Sequence, residues 1–551
     1  MECLTNPLIV QSDMTLMLEV YSPLFEQARN AIAPFAEIIK SPDHIHTYRL
    51  TPISLWNAQT TGITVENVLE RLTFFAKFPV SENVLFKIKE IMGRFGLVEI
   101  YSHNNALLLA IKNIDLMVSL SHNEKISSFF QKQIDYCVFT IRDIDRGRIK
   151  QTLIKEGYPA LDLAGYVEGE KLKSPMALRT EYSLRPYQKM ASDSFINAGS
   201  KIGGSGVIVL PCGSGKTITA TSVMAHMQCY TLILTTGVTA VRQWKQELLE
   251  KTTLHPEDVG EYSTDTKEIR PITISTYQML THRKSKDDDF LHFGYLNTQP
   301  WGLIIYDEVH LLPAQVFQFT ASLQAVRRLG LTATLIREDG REDDVFSLIG
   351  PKCFDIPWKE VEQKGWIAKT TCTEIRVTLA HAQKIDYATV ERRFRFRVAS
   401  ENSNKFKVIH HLLQKHPHDP TLIIGQFVEQ VERIAQHFKI PLITGKTPQK
   451  DRDALYAQFK AGVQQVLVVS SVANFAVDLP DASVAIQVSG KFGSRQEEAQ
   501  RLGRILRPKK DGRMAYFYTL VTEDTEEQEY AFKRQMFLVE QGYTYTIRKE
   551  L

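Results

Sequence analysis

A glycine-rich segment and an acidic pair carry the side chains with the clearest chemistry. The segment is Leu210-Pro-Cys-Gly-Ser-Gly-Lys-Thr217, and Asp307-Glu-Val-His310 follows later in the chain. Glycine-rich backbone brings N–H groups close to phosphate oxygens, a lysine reaches the outer phosphates, and a threonine hydroxyl suits Mg²⁺. These residue types predict a site for a nucleoside triphosphate with Mg²⁺.

The nucleotide contacts predicted within this segment are Gly213, Ser214, Gly215, Lys216 and Thr217, and Thr217 is also a predicted Mg²⁺ ligand. The P-loop pattern has a glycine where this chain has Leu210, which is its one departure from the pattern. A glycine-rich turn before a helix is the plainer alternative for the segment taken alone.

The acidic pair directly follows the apolar residues 303–306. Parallel α/β sheets bind ligands at the carboxyl ends of buried strands. We therefore expect Asp307 to hold Mg²⁺, directly or through water, and Glu308 to orient the attacking water. A solvated acidic turn is the alternative for such a pair in isolation.

These groups need strands, loops and helices in a fixed order to position them. From residue 184 onwards, short apolar runs alternate with helical stretches. The runs predict strands at 207–210, 231–234, 272–276, 303–306, 329–333, 422–424, 466–470, 484–488 and 516–520. The fold class is therefore α/β, with two doubly wound parallel sheets. Only the first series carries the glycine-rich segment, so the second must contribute across a cleft.

The residues before about 180 follow a different pattern. Amphipathic helices are predicted at 24–39, 65–78 and 81–95 around short strands, and 101–180 mix strands with a basic stretch at 142–150. Smaller α+β domains are therefore expected ahead of the two sheets.

Composition narrows the class of protein. A chain of 551 residues suggests three or four domains, and 43% hydrophobic with 23% charged residues is typical of soluble globular proteins. The six cysteines form no C-x-x-C pair, so neither a zinc site nor an iron–sulfur cluster is predicted. No apolar run is long enough for a membrane span. We expect a cytoplasmic protein, and the net charge of +3 permits a nucleic-acid partner without demonstrating one.

The second sheet offers Gln500-Arg-Leu-Gly-Arg-Ile-Leu-Arg507 as its contribution. On one helix, residues 500, 504 and 507 would share a face. Arg504 and Arg507 are predicted to reach the γ-phosphate when the domains close and to stabilise the transition state, with Gln500 beside them. A basic helix facing solvent or nucleic acid is the alternative.

Taken together, these motifs resemble those of the superfamily 2 helicases. Leu184-Arg-Pro-Tyr-Gln188 is similar to their adenine-recognising motif, which implies nucleotide contacts for Arg185 and Gln188. Leu331-Thr-Ala-Thr334 is similar to motif III, which implies coupling roles for Thr332 and Thr334. Residues 235–244, 274–277 and 469–478 are similar to motifs Ia, Ib and V, which adds Thr276 and Asp478 to the nucleic-acid and coupling set.

Within that superfamily the chain resembles the XPB family of DNA-repair and transcription helicases. The resemblance rests on Ile336-Arg-Glu-Asp339, on Leu348-Ile-Gly-Pro-Lys352, on residues 534–543 and on the N-terminal stretch 44–56. It implies two tandem RecA-like motor domains, ATP and Mg²⁺ as cofactors, and a role for Arg337, Glu338 and Asp339 in coupling closure to strand separation.

The resemblance also implies a domain order. An XPB-like N-terminal domain would span 1–100, a damage-recognition-like domain 101–180, and the motor domains 181–358 and 359–551, with a short thumb-like insertion near 380–400. Arginines interleave with aromatic residues there and suit phosphate contacts and base stacking: Arg392, Arg393, Phe394, Arg395, Phe396 and Arg397. A strand with basic residues outward and apolar residues inward is an equal alternative.

The implied activity is an ATP-driven DNA helicase of prokaryotic or viral type that moves 3′ to 5′ in DNA repair. Its implied partners are single-strand/duplex DNA junctions and a candidate repair nuclease, and in a prokaryote it would lie at the nucleoid. Two further interpretations stay open. One is a duplex translocase that remodels DNA without processive unwinding, and the other is a damage-binding scaffold with a nucleotide switch. The complete set of Lys216, Asp307, Glu308, Arg504 and Arg507 argues against an inactive scaffold.

Overall fold

The computed structural model describes most of the chain, with gaps. The described residues are 5–40, 44–60, 62–104, 106–142, 145–164, 169–197, 205–282, 291–312, 327–333, 345, 349–350, 352–470, 482–490, 495–503, 505–506 and 514–549. They form two compact units, which are Met1–Val209 with Lys216–Asp355, and Leu210–Gly215 with Ile356–Leu551. Within the described part, no helix is long and apolar enough to cross a membrane.

The first sheet is antiparallel, and its strands pair in the order β1-β2-β4-β3. The strands are β1 (Leu8–Val10), β2 (Thr15–Glu19), β3 (Glu37–Lys40) and β4 (Ile45–Arg49). The helices that share its core are α1 (Phe25–Ile32), α2 (Pro52–Thr60), α3 (Val65–Phe75) and α4 (Glu82–Gly93). Helix α3 begins with a capping box, in which Thr64 and Asn67 each bind the other's backbone N–H.

One helix predicted in this region is wrong over its second half. The predicted helix at 24–39 ends at Ile32, and strand β3 occupies Glu37–Lys40. Pro34 explains the break, because it lacks an N–H and its ring clashes with the carbonyl four residues earlier in a helix. The β-branched pair Ile38 and Ile39 then favours the strand.

The second sheet is mixed and pairs in the order β7-β8-β6-β5-β9. Its strands are β5 (Val98–His103), β6 (Ala106–Ile111), β7 (Gln133–Asp135), β8 (Val138–Ile141) and β9 (Ala160–Asp162), and its helices are α5 (Ile114–His122), α6 (Glu124–Ser127) and α7 (Arg146–Lys155). Part of the basic stretch 142–150 is neutralised here, since Arg146 and Lys150 lie 2.6 and 3.0 Å from the carboxylate of Asp162.

The third sheet is fully parallel and carries the glycine-rich segment. Its order is β12-β13-β11-β14-β15-β10-β16. Its strands are β10 (Ser205–Val209), β11 (Thr231–Thr235), β12 (Val259–Tyr262), β13 (Ile272–Thr276), β14 (Leu303–Asp307), β15 (Arg327–Thr332) and β16 (Lys352–Asp355). The helices are α8 (Pro186–Asn197), α9 (Lys216–Met227), α10 (Val238–Lys251), α11 (Tyr277–Thr281) and α12 (Leu291–Asn297).

The fourth sheet is also parallel, with the order β19-β20-β18-β21-β22-β17-β23. Its strands are β17 (Thr370–Val377), β18 (Thr421–Gly425), β19 (Leu442–Ile443), β20 (Val466–Ser470), β21 (Val484–Gln487), β22 (Ala515–Thr522) and β23 (Tyr545–Lys549). The helices are α13 (Trp358–Gln363), α14 (His381–Thr389), α15 (Arg392–Ser400), α16 (Lys405–Lys415), α17 (Val428–Phe438), α18 (Gln449–Lys460), α19 (Arg495–Gly503) and α20 (Glu526–Glu540).

The predicted pair of parallel sheets is confirmed, and each predicted strand is present with ends moved by at most a few residues. The prediction missed β12, β16, β17, β19 and β23. Strand β17 shows why, because it buries Glu374 in its centre. Arg376 and Gln535 donate hydrogen bonds to that carboxylate at 2.9 and 2.8 Å. A pattern of apolar residues does not indicate such a strand, because its buried carboxylate depends on polar partners.

The arginine and phenylalanine segment is helix α15, so the strand alternative is wrong. Phe396, Ala399 and Ser400 follow helical spacing and are buried. Phe394 lies on another side of the helix and is 47% exposed. The alternation of arginine and phenylalanine in the sequence therefore does not correspond to the two faces of a strand.

Candidate functional site

The glycine-rich segment connects the end of β10 to the start of α9, as predicted. Gly213 (φ +75°) and Gly215 (φ +88°) adopt left-handed backbone, which residues with a Cβ disfavour. The hydroxyl of Ser214 closes the turn by donating to the carbonyl oxygen of Pro211 at 2.6 Å. Lys216 is the first residue of α9, so the turn leads into the positive end of the helix.

The acidic pair ends strand β14 and lies beside Lys216. Nζ of Lys216 is 3.2 Å from Oε1 of Glu308, and these side chains are 13% and 25% exposed. Glu308 has φ +51° and ψ +52°, a left-handed conformation that is uncommon for glutamate. Its backbone therefore turns sharply after the strand, and the turn brings its carboxylate to the lysine.

Two aromatic side chains hold Asp307, and sequence analysis assigned neither of them a role. Nε1 of Trp244 donates to Oδ2 of Asp307 at 2.8 Å, and the hydroxyl of Tyr277 donates to its carbonyl oxygen at 2.7 Å. Both aromatic residues are 2% exposed. The sequence offered one indication of these contacts, which is the polar atom on each ring. A buried indole N–H or phenol hydroxyl needs a hydrogen-bond partner.

The electrostatic environment of Asp307 disfavours its charge. Burial, and then the negative charge of Glu308, raise the pKa of Asp307 to about 6, against the opposing effects of the Trp244 N–H and the Lys216 amine. A cation bound to this carboxylate would relieve the repulsion.

His310 connects the acidic pair to the end of β15. Its Nδ1 shares a hydrogen bond with Oγ1 of Thr332 at 2.6 Å and lies 3.5 Å from Oε2 of Glu308. His310 and Thr332 are buried. His310 therefore links Thr332 to the carboxylate of Glu308. No role was predicted for His310 from the sequence.

Comparison with known proteins agrees with this geometry. The family model described as ERCC3/RAD25/XPB C-terminal helicase matches residues 361–551. Models described as helicase conserved C-terminal domain and as type III restriction enzyme, res subunit, match residues 8–135 and 181–337. The chain is 50% identical over 546 residues to the protein named DNA 3'-5' helicase XPB from Mycobacterium tuberculosis, covering 98% of each chain.

The chain belongs to the XPB family of helicases. It is also 48% identical over 543 residues to the DNA 3'-5' helicase XPB of Kineococcus radiotolerans, covering 98% of this chain and 96% of that protein. The similarity to bacterial members agrees with the prokaryotic type that was predicted.

A solved structure supports the fold of the two motor sheets. Saccharomyces cerevisiae Dbp5 bound to RNA and ADP BeF3 matches with a TM-score of 0.50 at 15% identity, covering 66% of this chain and 89% of that one. At this identity the likeness concerns the fold alone. The tandem RecA-like architecture expected of an XPB-family chain is confirmed.

The predicted adenine-recognition motif lies at the start of helix α8. Oε1 of Gln188 accepts from the backbone N–H of Arg185 at 2.9 Å, and its Nε2 lies 3.4 Å from the hydroxyl of Tyr187. Gln188 is 4% exposed. The amide therefore has a structural partner here, and adenine recognition by Arg185 and Gln188 stays a prediction.

The predicted arginine-finger motif at 500–507 begins on helix α19. Helix α19 ends at Gly503, and Ile505 and Leu506 are not part of it. The shared helix face of residues 500, 504 and 507 stays a prediction. Gln500 lies on α19, whereas Arg504 and Arg507 lie outside the described residues.

Some of the remaining predicted residues are described by the structure, and others are not. Thr276 ends β13 and is 3% exposed. Thr334, Arg337, Glu338, Asp339 and Asp478 lie outside the described residues. The structure therefore brings together Lys216, Asp307, Glu308 and Thr332 from the predicted set.

The residues around Asp307 fit a magnesium ion. Mg²⁺ prefers oxygen ligands and takes one or two protein carboxylates together with substrate phosphates. Asp307 supplies a partly buried carboxylate whose second oxygen is held by Trp244, and Thr217 supplies a hydroxyl in the first turn of α9. Within the described part of the chain, no group of three or more His, Cys, Asp or Glu side chains forms a metal site of its own.

Proposed function

We propose that this protein is an ATP-dependent DNA helicase of the XPB type that couples ATP hydrolysis to 3′ to 5′ movement and duplex unwinding, as in DNA repair. The observation that supports this most directly is the pairing of Lys216 with Glu308 at 3.2 Å, next to the Asp307 carboxylate. The names of the bacterial relatives support the direction and the substrate.

We assign each group in the nucleotide site a task. The turn of Gly213, Ser214 and Gly215 cradles the phosphates, and Lys216 binds the outer ones. Thr217 and Asp307 would hold Mg²⁺, which would offset the charge on the phosphates. Glu308 orients the attacking water once the nucleotide has drawn Lys216 away from it. Gln500, Arg504 and Arg507 complete the site, with the two arginines stabilising the transition state.

The nucleic-acid and coupling residues are part of the same proposal. Thr276, Thr332, Thr334 and Asp478 would act at motifs Ib, III and V, and Arg337, Glu338 and Asp339 would convert closure into strand separation. Helix α15 offers exposed basic and aromatic groups for the DNA, because Arg392 and Arg393 have side chains that are 89% and 71% exposed. Guanidinium and aromatic faces suit phosphate contacts and base stacking.

We also propose the division of the chain into domains at 1–100, 101–180, 181–358 and 359–551, with α15 inside the thumb-like insertion near 380–400. Four separate sheets support it, and they follow these ranges except that strand β5 of the second sheet begins at Val98. A DNA substrate implies a cytoplasmic location at the nucleoid, and junction DNA and a repair nuclease remain the proposed partners.

The test of the catalytic assignment compares two variants. Lys216→Ala should lose nucleotide binding, because the cation on the outer phosphates is removed. Glu308→Gln should bind ATP yet turn over about 10²- to 10³-fold more slowly, the usual effect of removing one preorganised catalytic group. A fluorescent nucleotide reports binding and phosphate release reports turnover. Parental turnover in Glu308→Gln would remove its assignment.

The test of the motor activity compares two substrates. A helicase separates the strands of a 3′-tailed duplex in an ATP-dependent reaction that Lys216→Ala does not support. A translocase displaces the third strand of a triplex on blunt duplex but leaves the duplex paired. A nucleotide-switched scaffold does neither, and its DNA affinity changes with the bound nucleotide.

A further inference from the structure

A continuous line of buried polar side chains joins helix α15 to helix α19 inside the second unit. It passes through α17, the last residue of β21 and the segment that follows β21. Its members are between 0% and 3% exposed: Ser400, Gln430, Gln487, Ser489, Glu498 and Arg501. We call this line the polar relay.

The first half of the relay depends on the amide of Gln430. Its Nε2 donates to the backbone carbonyl of Ser400, the last residue of α15, at 2.6 Å. Its Oε1 accepts from the hydroxyl of Ser489 at 2.6 Å. The two ends of the Gln430 amide thus bind different elements. A displacement of α15 therefore acts on the hydrogen bond between Gln430 and Ser489.

The second half runs from Ser489 to α19. The carbonyl oxygen of Ser489 accepts from Nη1 of Arg501 at 3.2 Å, and the same nitrogen donates to Oε1 of Gln487 at 2.6 Å. Nε2 of Gln487 donates in turn to Oε2 of Glu498 at 2.8 Å. Arg501 and Glu498 are one turn apart on α19, so these bonds fix the rotation of the helix that carries Gln500.

Burial makes these bonds hard to exchange. A buried donor or acceptor that loses its partner pays the full desolvation penalty, with no water nearby to replace the bond. When α15 shifts, a concerted shift of the other relay residues therefore costs less free energy than a broken hydrogen bond.

The other end of α15 faces solvent. Arg392 and Arg393 each lie near one carboxylate, at 3.3 Å from Glu526 and 3.0 Å from Glu391. Ion pairs this exposed contribute little to stability and give way to a polyanion at low cost. The helix therefore joins a surface suited to phosphates to a buried end that contacts the relay.

We propose that Gln430, Ser489 and Arg501 are positioning residues that transmit occupancy of α15 by DNA to helix α19, and so set the orientation of the helix that carries Gln500. This inference rests on the proposed function, in which α15 contacts DNA and the motif on α19 acts in hydrolysis. Within that motif, Arg501 is buried in the relay and serves to hold helix α19.

The first experiment replaces Gln430 by methionine, which has a similar shape but neither hydrogen bond. The DNA-stimulated turnover of Gln430→Met should fall roughly 3- to 30-fold, the range of measured coupling effects between sites. Turnover without DNA, KM for ATP and Kd for DNA should keep their parental values. Gln436→Met is the matched control, because Gln436 is exposed on the same helix. A purely structural role would instead lower the melting temperature and the turnover without DNA together.

A second variant tests the order of the links. Ser489→Ala removes the hydroxyl that binds Gln430 and keeps the carbonyl that binds Arg501. It should reproduce the loss seen in Gln430→Met, and the double variant should be no worse than either single one, because both changes break the same connection. Losses that multiply in the double variant would overturn the relay.

Amide hydrogen exchange separates the relay from the proposed function. Exchange in α19 should be faster in both variants, with exchange in α16 unchanged. If DNA stimulates every variant as it does the parent and exchange in α19 is parental, the relay is wrong and the helicase assignment stands. If DNA does not stimulate the parent but exchange in α19 responds to both variants, the helicase assignment fails and the structural link stands.

Discussion

At the scale of single residues, the site depends on how Asp307 is held. Its carboxylate is partly buried beside Glu308, and the indole of Trp244 and the amine of Lys216 partly offset the free-energy cost of its charge. Neither aromatic contact belongs to the phosphate-binding pattern, yet both determine where the predicted Mg²⁺ ligand points.

Trp244→Phe should weaken Mg²⁺ binding. The change removes the N–H that fixes Oδ2 of Asp307 and keeps most of the packing. A hydrogen bond to a charged group contributes about 1.5–3 kcal/mol, which corresponds to about tenfold or more in apparent Mg²⁺ affinity. The measurement is the Mg²⁺ concentration that half-saturates nucleotide binding. Tyr277→Phe is the matched control, because its hydroxyl contacts the backbone of Asp307 and not the carboxylate. An unchanged Mg²⁺ requirement in Trp244→Phe would show that the indole contributes only packing and does not orient the carboxylate.

Asp307→Asn should stabilise the protein free of metal and nucleotide, in a pH-dependent way. The pKa of Asp307 is raised from 3.8 to about 6, so the folded protein binds this proton more tightly than the unfolded chain. Stability is therefore lost as pH rises through that window, and the cost is complete above it. The variant avoids the cost. Its melting temperature at about pH 7.5 should exceed that of the parent by roughly 2–4 °C.

The same comparison at low pH supplies the check. Near pH 4 the gain should disappear, because the parental carboxyl is then protonated in the folded state. Asp265→Asn is the control, since Asp265 is exposed. A gain of equal size at both pH values would point to packing and not to ionisation.

At the scale of elements, a buried ion pair connects the helices α16 and α20. Nζ of Lys405 lies 2.8 and 2.9 Å from the carboxylate oxygens of Glu527, and the two side chains are 1% and 0% exposed. The carboxylate also accepts from the backbone N–H of Thr522 at 2.8 Å. Burial lowers the pKa of Lys405, while the charge of Glu527 opposes that effect.

Glu527→Gln should destabilise the second unit strongly. The glutamine keeps the shape but leaves the Lys405 charge uncompensated in a buried place. Loss of one partner of such a pair costs about 3–5 kcal/mol. The measurement is denaturant unfolding, with hydrogen exchange in α16 to locate the change. Lys364→Met, at an exposed pair with Glu360, should cost less than about 1 kcal/mol. Equal effects of the two variants would contradict this account of the pair.

At the scale of the whole molecule, residues 169–182 join the mixed sheet to the first motor sheet and lie along it. Backbone bonds connect Glu170 to Pro300 at 2.9 Å, Tyr230 to Glu170 at 2.7 Å and Leu172 to Gln228 at 3.0 Å. These partners precede β11 and β14, at the end of the sheet opposite the acidic pair. The connection is therefore part of the packed unit.

Gly169→Ala should displace this segment. A Cβ at Gly169 would lie 1.9 Å from the backbone N of Gly302, and neither backbone has room to move without breaking the bonds nearby. We expect a loss of about 1–3 kcal/mol, as for other overpacked sites, and faster proteolysis within 169–182 at parental nucleotide affinity. Gly93→Ala is the control, because nothing lies within 4 Å of the added Cβ. Resistance to protease equal to that of the parent would contradict the close packing of the segment.

The sequence by itself determined the parallel sheets, the strand, loop and helix around Lys216, and the placement of Asp307 and Glu308 at a strand end. It could do so because these features depend on local signals: apolar runs of strand length, glycines at left-handed positions, and charged residues directly after a buried strand. Only the tertiary structure determined the partners of buried polar groups. Trp244 and Asp307, or Gln430 and Ser489, are far apart in the chain, and they meet because every buried donor needs an acceptor that the fold brings to it. The same reason explains the burial of Arg501: the side chain is charged, and only the acceptors that the fold brings to it, on Gln487 and Ser489, make its burial possible.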